Sequence, residues 1–149
     1  MATAPEATNS QSLGPHAALL KAYSVLEREL HRVRTAVLAQ ATMSALQKSA
    51  KATFISSDDI LAALATIAAT GDLNWSAPPK QLARESSPLL ERRLEALGQL
   101  VIKQATSLAA EGGAAPLDYP QVTPELIESA WDFVWNNPNF RYALLVKAD

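Results

Sequence analysis

The chain has 149 residues, 48% of them hydrophobic, and its 13 basic and 15 acidic side chains leave a formal net charge of −2. This length suits a single domain with a real core. The near balance of charge argues against a protein that binds nucleic acid by neutralising phosphates. The sequence contains no cysteine, which excludes disulfides and cysteine-ligated zinc and agrees with a cytoplasmic, intracellular location.

The N-terminal segment is small and polar, and it lacks the basic region and apolar stretch of a secretory signal. We therefore predict a flexible N-terminal tail over residues 1–15 and a single helical domain over residues 16–149. No run of 18 apolar residues occurs anywhere in the chain, so no membrane-spanning helix is predicted.

A helical pattern runs from about residue 16 to residue 51, and its first half carries an apolar seam with alternating spacings of four and three. The seam consists of Leu19, Tyr23, Leu26, Leu30, Val33 and Val37. Such spacing is typical of a helix that packs against another helix, in the same chain or in a second copy. We predict these six side chains as partner-binding residues.

The remaining helices are predicted from their caps. Ser56 and Asp59 form a capping box for a helix that stops at Gly71. Ser87-Pro88 opens a second long helix, about 88–111, in which Gly98 indicates a close helix crossing. Pro79 predicts a short helix over residues 80–86, Thr123-Pro124 opens a further helix, and residues 139–149 weakly favour helix over an extended tail.

The predicted fold is therefore an all-α bundle. Its two long helices, about 16–51 and 88–111, pair antiparallel, and two to four shorter helices close it. The long helices differ in caps, length and seam, so no internal repeat is predicted.

Aromatic side chains concentrate near the C-terminus, where five of the nine lie within twelve residues. Phe133 falls on a different side of its helix from the two tryptophans. The group either forms a lid on the core or exposes an anchor for a partner, since Trp and Tyr are enriched at binding hot spots. We predict four of these residues as partner-binding: Trp131, Trp135, Phe140 and Tyr142.

No residue set indicates catalysis, a metal or a cofactor. Glu27 and His31 are one helical turn apart, but a di-metal bundle needs further acid–histidine pairs, which are missing. The Gly112-Gly113 pair lacks the lysine of a phosphate-binding loop. We predict a protein that is not an enzyme.

The segment from Lys51 to Leu64, KATFISSDDILAAL, resembles the join between the long middle helix and the last helix of histone-fold subunits. The resemblance implies a histone-fold heterodimer, with Lys48 and Lys51 near a phosphate path. It covers some fourteen residues. The chain differs from that family in two respects. A polar tail takes the place of the first short helix, and the long helix is longer than the middle helix of the family.

These observations favour a helical scaffold or assembly protein that acts through protein–protein contacts as a subunit of an oligomer or larger complex. Two alternatives stay open. One is a histone-fold-like subunit associated with nucleic acid. The other is a helical bundle that binds a small molecule in an apolar pocket lined by Trp75, Trp131 and Trp135.

Overall fold

A computed structural model describes residues 14–74, 83–84, 88–111 and 122–145. The fold is all-α, as predicted. The elements in chain order are α1 (Gly14–Lys48), β1 (Phe54–Ile55), α2 (Ser57–Thr70), β2 (Ala83–Arg84), α3 (Leu89–Glu111), α4 (Pro124–Trp135), α5 (Pro138–Arg141) and a 3₁₀ helix (Tyr142–Leu144). Most of the predicted tail, Trp75, and residues 146–149 lie outside the described residues.

The helix α1 is continuous over 35 residues, a length of about 50 Å. It ends at Lys48 rather than at residue 51, because residues 49–52 form a turn in which the Ala52 N–H donates to the Ser49 carbonyl at 3.0 Å. The turn leads into β1, whose backbone is extended because it pairs with β2. The predicted end of the helix was therefore three residues too late.

The predicted capping box at the start of α2 is confirmed. The Ser56 hydroxyl accepts from the Asp59 N–H at 3.2 Å, and the Asp59 carboxylate accepts from the Ser56 N–H at 3.0 Å. The same carboxylate accepts from Lys48 Nζ at 2.8 Å, which ties the end of α1 to the start of α2. The helix stops at Gly71, whose φ of 69° lies in the left-handed region.

Two strands of two residues each form a minimal parallel pair, with Phe54 opposite Ala83 and Ile55 opposite Arg84. The predicted short helix over residues 80–86 is wrong at residues 83 and 84, which are strand, and its other residues lie outside the described part. Sequence periodicity cannot reveal a strand this short, because its only stabilisation comes from pairing with a distant segment.

The two long helices cross near their middles and run in opposite directions, as predicted. Arg34 of α1 pairs with Glu91 near the start of α3, whereas Leu30 and Leu26 meet Gly98 further along it. A Cβ at Gly98 would lie 3.3 Å from Leu30 Cδ1. The missing side chain of Gly98 therefore sets how closely the helices approach.

A stripe of buried positions has the same spacing in both long helices, with intervals of four, four, three and four residues. The stripe comprises Ala22, Leu26, Leu30, Val33 and Val37 in α1, and Leu90, Leu94, Gly98, Val101 and Ala105 in α3. Leu90 lies 68 residues after Ala22, and the other four pairs have the same separation. The two helices therefore bury equivalent faces.

The segments that follow the long helices also match, at a separation of 67 residues. Each has a buried β-branched residue, a hydroxyl cap that accepts from the backbone three residues on, and a short helix with one buried face. The matched buried residues are Ile55 and Val122, Ile60 and Ile127, Ala63 and Ala130, Leu64 and Trp131, and Ile67 and Val134.

The described residues therefore contain two similar units, each a long helix followed by a capped short helix, and the long helices cross at Leu30 and Gly98. The strand β1 of the first unit pairs with β2, which precedes the long helix of the second. No internal repeat was predicted from the sequence, and the long helices do differ in length, at 35 and 23 residues. The repeat lies in burial and capping and not in residue identity, so the sequence alone concealed it.

Candidate functional site

The predicted seam on α1 is covered mainly by the protein's own helices. Leu26, Leu30, Val33 and Val37 are buried in the core, where α1 packs against α2, α3 and α4. The sequence left open whether the seam meets the same chain or a second copy, and for these four residues it meets the same chain. Their role in binding a partner remains a prediction, and it requires the fold to open.

The N-terminal end of the seam is less covered. Leu19 is partly buried against the core, Tyr23 is 39% exposed, and Leu20 beside them is more exposed still. Among the described residues, this end of the seam is therefore less covered than the part from Leu26 to Val37.

The two predicted tryptophans of α4 are core residues that stack on each other. Trp131 and Trp135 are both buried, and their ring centroids lie 5.2 Å apart with an interplanar angle of 9°. The Trp135 indole N–H donates to the Gly71 carbonyl at 2.9 Å, whereas the Trp131 indole N–H has no protein acceptor among the described residues and is open to solvent.

The buried side chain of Arg141 joins the C-terminal ends of two helices. Its guanidinium donates to the Ala68 carbonyl near the end of α2 at 3.0 Å and to the Trp135 carbonyl at the end of α4. It also lies over the Trp135 ring, 5.6 Å from the centroid. Burial lowers the pKa of Arg141 from its usual value. The negative ends of two helix dipoles compensate this buried cation.

A second buried arginine, Arg93 of α3, donates to the Leu144 carbonyl at 3.1 Å. Arg93 and Arg141 together fix α5 and the 3₁₀ helix against α2, α3 and α4. The aromatic residues that follow Trp135 are thereby held in a defined place.

On the other side of α4 from the tryptophans, aromatic rings are open to solvent. Phe133 is 49% exposed, and its ring packs against that of Phe140, with centroids 5.5 Å apart and a tilt of 50°. Tyr142, two residues after Phe140, is 61% exposed. We call Phe133, Phe140 and Tyr142 the aromatic surface. The tryptophans thus belong to the core. Only the aromatic surface is still a candidate anchor for a partner.

An open groove of about 460 Å³ lies on the tryptophan side of α4. Two residues of α1, the loop after α2 and four residues of α4 line it: Glu29, Arg32, Gly71, Asp72, Leu73, Asn74, Glu128, Trp131, Asp132 and Trp135. The stacked tryptophans contribute its apolar wall. Four carboxylates surround them, and Arg32 is the single basic side chain in this lining.

Sequence reasoning missed the groove because its residues come from three separate segments. One local signal was available: Glu128 and Asp132 are one helical turn apart on the face of α4 that carries the tryptophans. Like charges at this spacing disfavour a helix. This face of α4, beside the buried tryptophans, therefore does not carry the charge pattern that best stabilises a helix.

The structure assembles no catalytic or metal-binding set from the sequence candidates. Glu27 and His31 both lie on exposed positions of α1. Within the described ranges, no group of three or more histidine or acidic residues is placed to hold a metal ion. Of the two lysines near the histone-like join, Lys48 is paired with Asp59 and Lys51 is exposed.

Comparison with known proteins gives no match: no family model, no curated protein and no solved structure is significantly similar to this chain. None of the helices in the described residues is both long and apolar enough to cross a membrane. The function therefore has to be argued from the two surfaces of α4 and from the internal repeat.

Proposed function

We propose that this protein is a non-enzymatic helical scaffold that binds another protein through its aromatic surface, as a subunit of an oligomer or larger complex. The observation that carries the proposal is the exposure of Phe133 and Tyr142 on a segment whose backbone two buried arginines hold in place. Exposed aromatic side chains on a rigid support bind with little loss of conformational entropy and are enriched among interface hot spots.

Site-specific cross-linking tests this proposal. A photoreactive phenylalanine analogue at position 133 or 142 is expected to cross-link a discrete partner, or a second copy of the chain, in native cells. The same analogue at position 61 is the control, because Leu61 is exposed but lies on α2. The proposal also includes the intracellular location predicted from the sequence, which fractionation of the same cells tests.

Two substitutions separate specific binding from general stickiness. F133S combined with Y142S is expected to abolish co-purification of the partner that the cross-link identifies, whereas L61S leaves it unchanged, because only the first pair removes the aromatic surface. The proposal is wrong if light scattering shows a monomer and if every protein recovered with the wild-type chain is also recovered with the F133S/Y142S variant.

A second candidate is the histone-fold-like, nucleic-acid-associated subunit that residues 51–64 suggested. The internal repeat favours it, since one chain would then supply both halves of a heterodimer, with β1 and β2 pairing between them. Salt-sensitive binding of duplex DNA that K51E weakens would support this candidate. No mobility shift at low salt would remove it.

The small-molecule alternative stays a prediction. Trp75 lies outside the described residues, and the tryptophans that are described line a groove that four carboxylates surround. Quenching of tryptophan fluorescence across a ligand panel remains its test.

A further inference from the structure

The interface between the two similar units is built from residues that differ between them. We define unit 1 as α1, β1 and α2, and unit 2 as the described residues from β2 to the 3₁₀ helix. Residues of the long helices correspond at a separation of 68, so Leu30 and Gly98 are counterparts that face each other. Pairing a unit with a second copy of itself would therefore place two leucines or two glycines at this crossing.

Neither of these like pairings packs well. A Cβ at position 98 would lie 3.3 Å from Leu30 Cδ1, so a whole leucine side chain there would overlap it. Two glycines would instead leave an unfilled space between the helices, which lowers stability at a buried position. The crossing fits one large side chain opposite a glycine, and that combination occurs only between unlike units.

The ion pair beside the crossing has the same selectivity. Arg34 of unit 1 donates to both carboxylate oxygens of Glu91 in unit 2. The counterpart of Arg34 in unit 2 is Ile102, and the counterpart of Glu91 in unit 1 is Tyr23. Two copies of unit 1 would therefore set Arg34 against a tyrosine, and two copies of unit 2 would set Glu91 against an isoleucine. Only unlike units bring opposite charges together here.

A hydrogen bond between the short helices also needs both units. The Trp135 indole N–H of unit 2 donates to the Gly71 carbonyl of unit 1 at 2.9 Å. Residues of the short helices correspond at a separation of 67, so the counterpart of Trp135 is Ala68, whose side chain has no donor. One unit 1 therefore has no equivalent of this hydrogen bond to offer to another unit 1.

We propose that this interface also binds a second copy of the chain by exchange, with unit 1 of each copy packed on unit 2 of the other. The exchanged dimer repeats the contacts between unlike units that the single chain makes, and like units never pair in it. Exchange of equivalent elements between copies is a low-cost route to a dimer. The units have to separate first, and the buried seam from Leu26 to Val37 then has the second copy as its partner.

Complementation between two full-length variants tests the exchange. L30A creates a cavity at the crossing and G98L creates an overlap, so each variant alone is mispacked. An exchanged dimer with one chain of each kind relieves both faults. One of its crossings combines the two substitutions, a small side chain opposite a leucine, and the other is the native contact. The variants are refolded together from urea, and an affinity tag on L30A captures untagged G98L.

The control mixture contains tagged wild type and untagged G98L. Exchange between these chains only moves the overlap from one crossing to the other, so nothing is gained. We expect L30A to capture about ten times more G98L than the wild type captures, and light scattering to give the mass of a dimer for the captured species. Wild type alone, refolded at increasing concentration, is expected to form an increasing fraction of dimer.

R34E and E91R form a second complementing pair, with R34E and wild type as its control mixture. Both side chains are partly exposed, so these substitutions do not endanger the fold. Each variant alone opposes like charges. In their exchanged dimer one interface has the native pair and the other has the same pair with its charges reversed. The yield of this heterodimer is expected to exceed that of the control and to fall as salt increases.

Circular dichroism shows whether L30A and G98L fold, and where either does not, R34E and E91R decide the question. The inference is wrong if the folded complementing pair gives no more heterodimer than its control, or if the wild type stays monomeric at every concentration. It concerns the interior of the bundle and does not rest on the aromatic surface. F133S combined with Y142S is therefore expected to leave capture unchanged, and loss of capture would assign the association to the aromatic surface instead.

Discussion

Leu30 of α1 lies directly against Gly98 of α3, where a Cβ atom would lie 3.3 Å from Leu30 Cδ1. The contact is the centre of the internal repeat, since Leu30 and Gly98 occupy equivalent positions in their helices. One copy supplies the large residue and the other the smallest. The two long helices can therefore approach closely at this point.

The first prediction concerns this crossing. G98V is expected to lower the free energy of unfolding by about 1–3 kcal/mol, because its side chain overpacks against Leu30. G98A is expected to stay within about 1 kcal/mol of the wild type, because the gain in helix propensity offsets a contact that is only slightly too close. Urea unfolding measures both. Equal stability of G98V and the wild type would show that the helices do not meet here.

The second prediction concerns Arg141 as the link between the ends of α2 and α4. R141A is expected to cost about 2–3 kcal/mol, because it removes charge-assisted hydrogen bonds to two helix-terminal carbonyls. R141K restores the charge but not the forked geometry, so it is expected to recover only part of the loss. Thermal unfolding measures the order wild type, R141K, R141A, and full recovery by R141K would contradict the geometry.

The third prediction concerns pH. Burial by itself raises the pKa of Asp59, but the hydrogen bonds from Lys48 and from the Ser56 N–H and hydroxyl outweigh it, so the pKa is lowered in the folded state. A lowered folded pKa means that this carboxylate stabilises the fold above its unfolded pKa of about 4. The contribution is lost as the pH falls through the folded value.

Acid titration of the unfolding free energy measures this effect. D59N is expected to cost about 1 kcal/mol at neutral pH, since a neutral amide oxygen replaces the charged acceptor of the Lys48 and Ser56 hydrogen bonds, and to show a shallower decline below pH of about 4. D58N is the matched control, because Asp58 is the exposed neighbour in the same helical turn. Parallel acid profiles for D59N and the wild type would contradict the assignment.

The fourth prediction concerns the ion pair across the crossing. Arg34 donates to both oxygens of Glu91, at 3.0 and 2.7 Å, and this hydrogen bonding raises the pKa of Arg34. Both side chains are partly exposed, so solvent screening reduces the coupling. A double-mutant cycle with R34Q and E91Q is expected to give a coupling below about 1 kcal/mol that decreases with salt. A larger, salt-insensitive coupling would mean that the pair is more buried than the structure has it.

The sequence predicted most features that depend on a few neighbouring residues, although it placed the end of α1 three residues too late. The Ser56 capping box, the stop at Gly71, the Thr123-Pro124 start and the two long helices follow from local hydrogen bonding and periodicity. The role of Gly98 was also readable, because a glycine in a helix interior is costly unless a close contact needs it.

The features that were missed depend on distant residues. The parallel pair at Phe54 and Ile55 has no signal of its own, because its partner lies nearly thirty residues away. The groove draws Glu29, Asp72 and Asp132 from three segments. Which aromatic residues are buried also depends on how α4 packs: its tryptophans face the core, whereas Phe133 faces solvent.

The sequence by itself thus determined that the protein is all-α and where its capped helices begin, since caps and periodicity act within a turn or two. Only the tertiary structure decided that the two halves are copies of one unit, which faces they share and which carboxylates meet across a groove. These features depend on which side chains are buried. Burial follows from the packing of distant segments against one another, so it cannot be read from one segment alone.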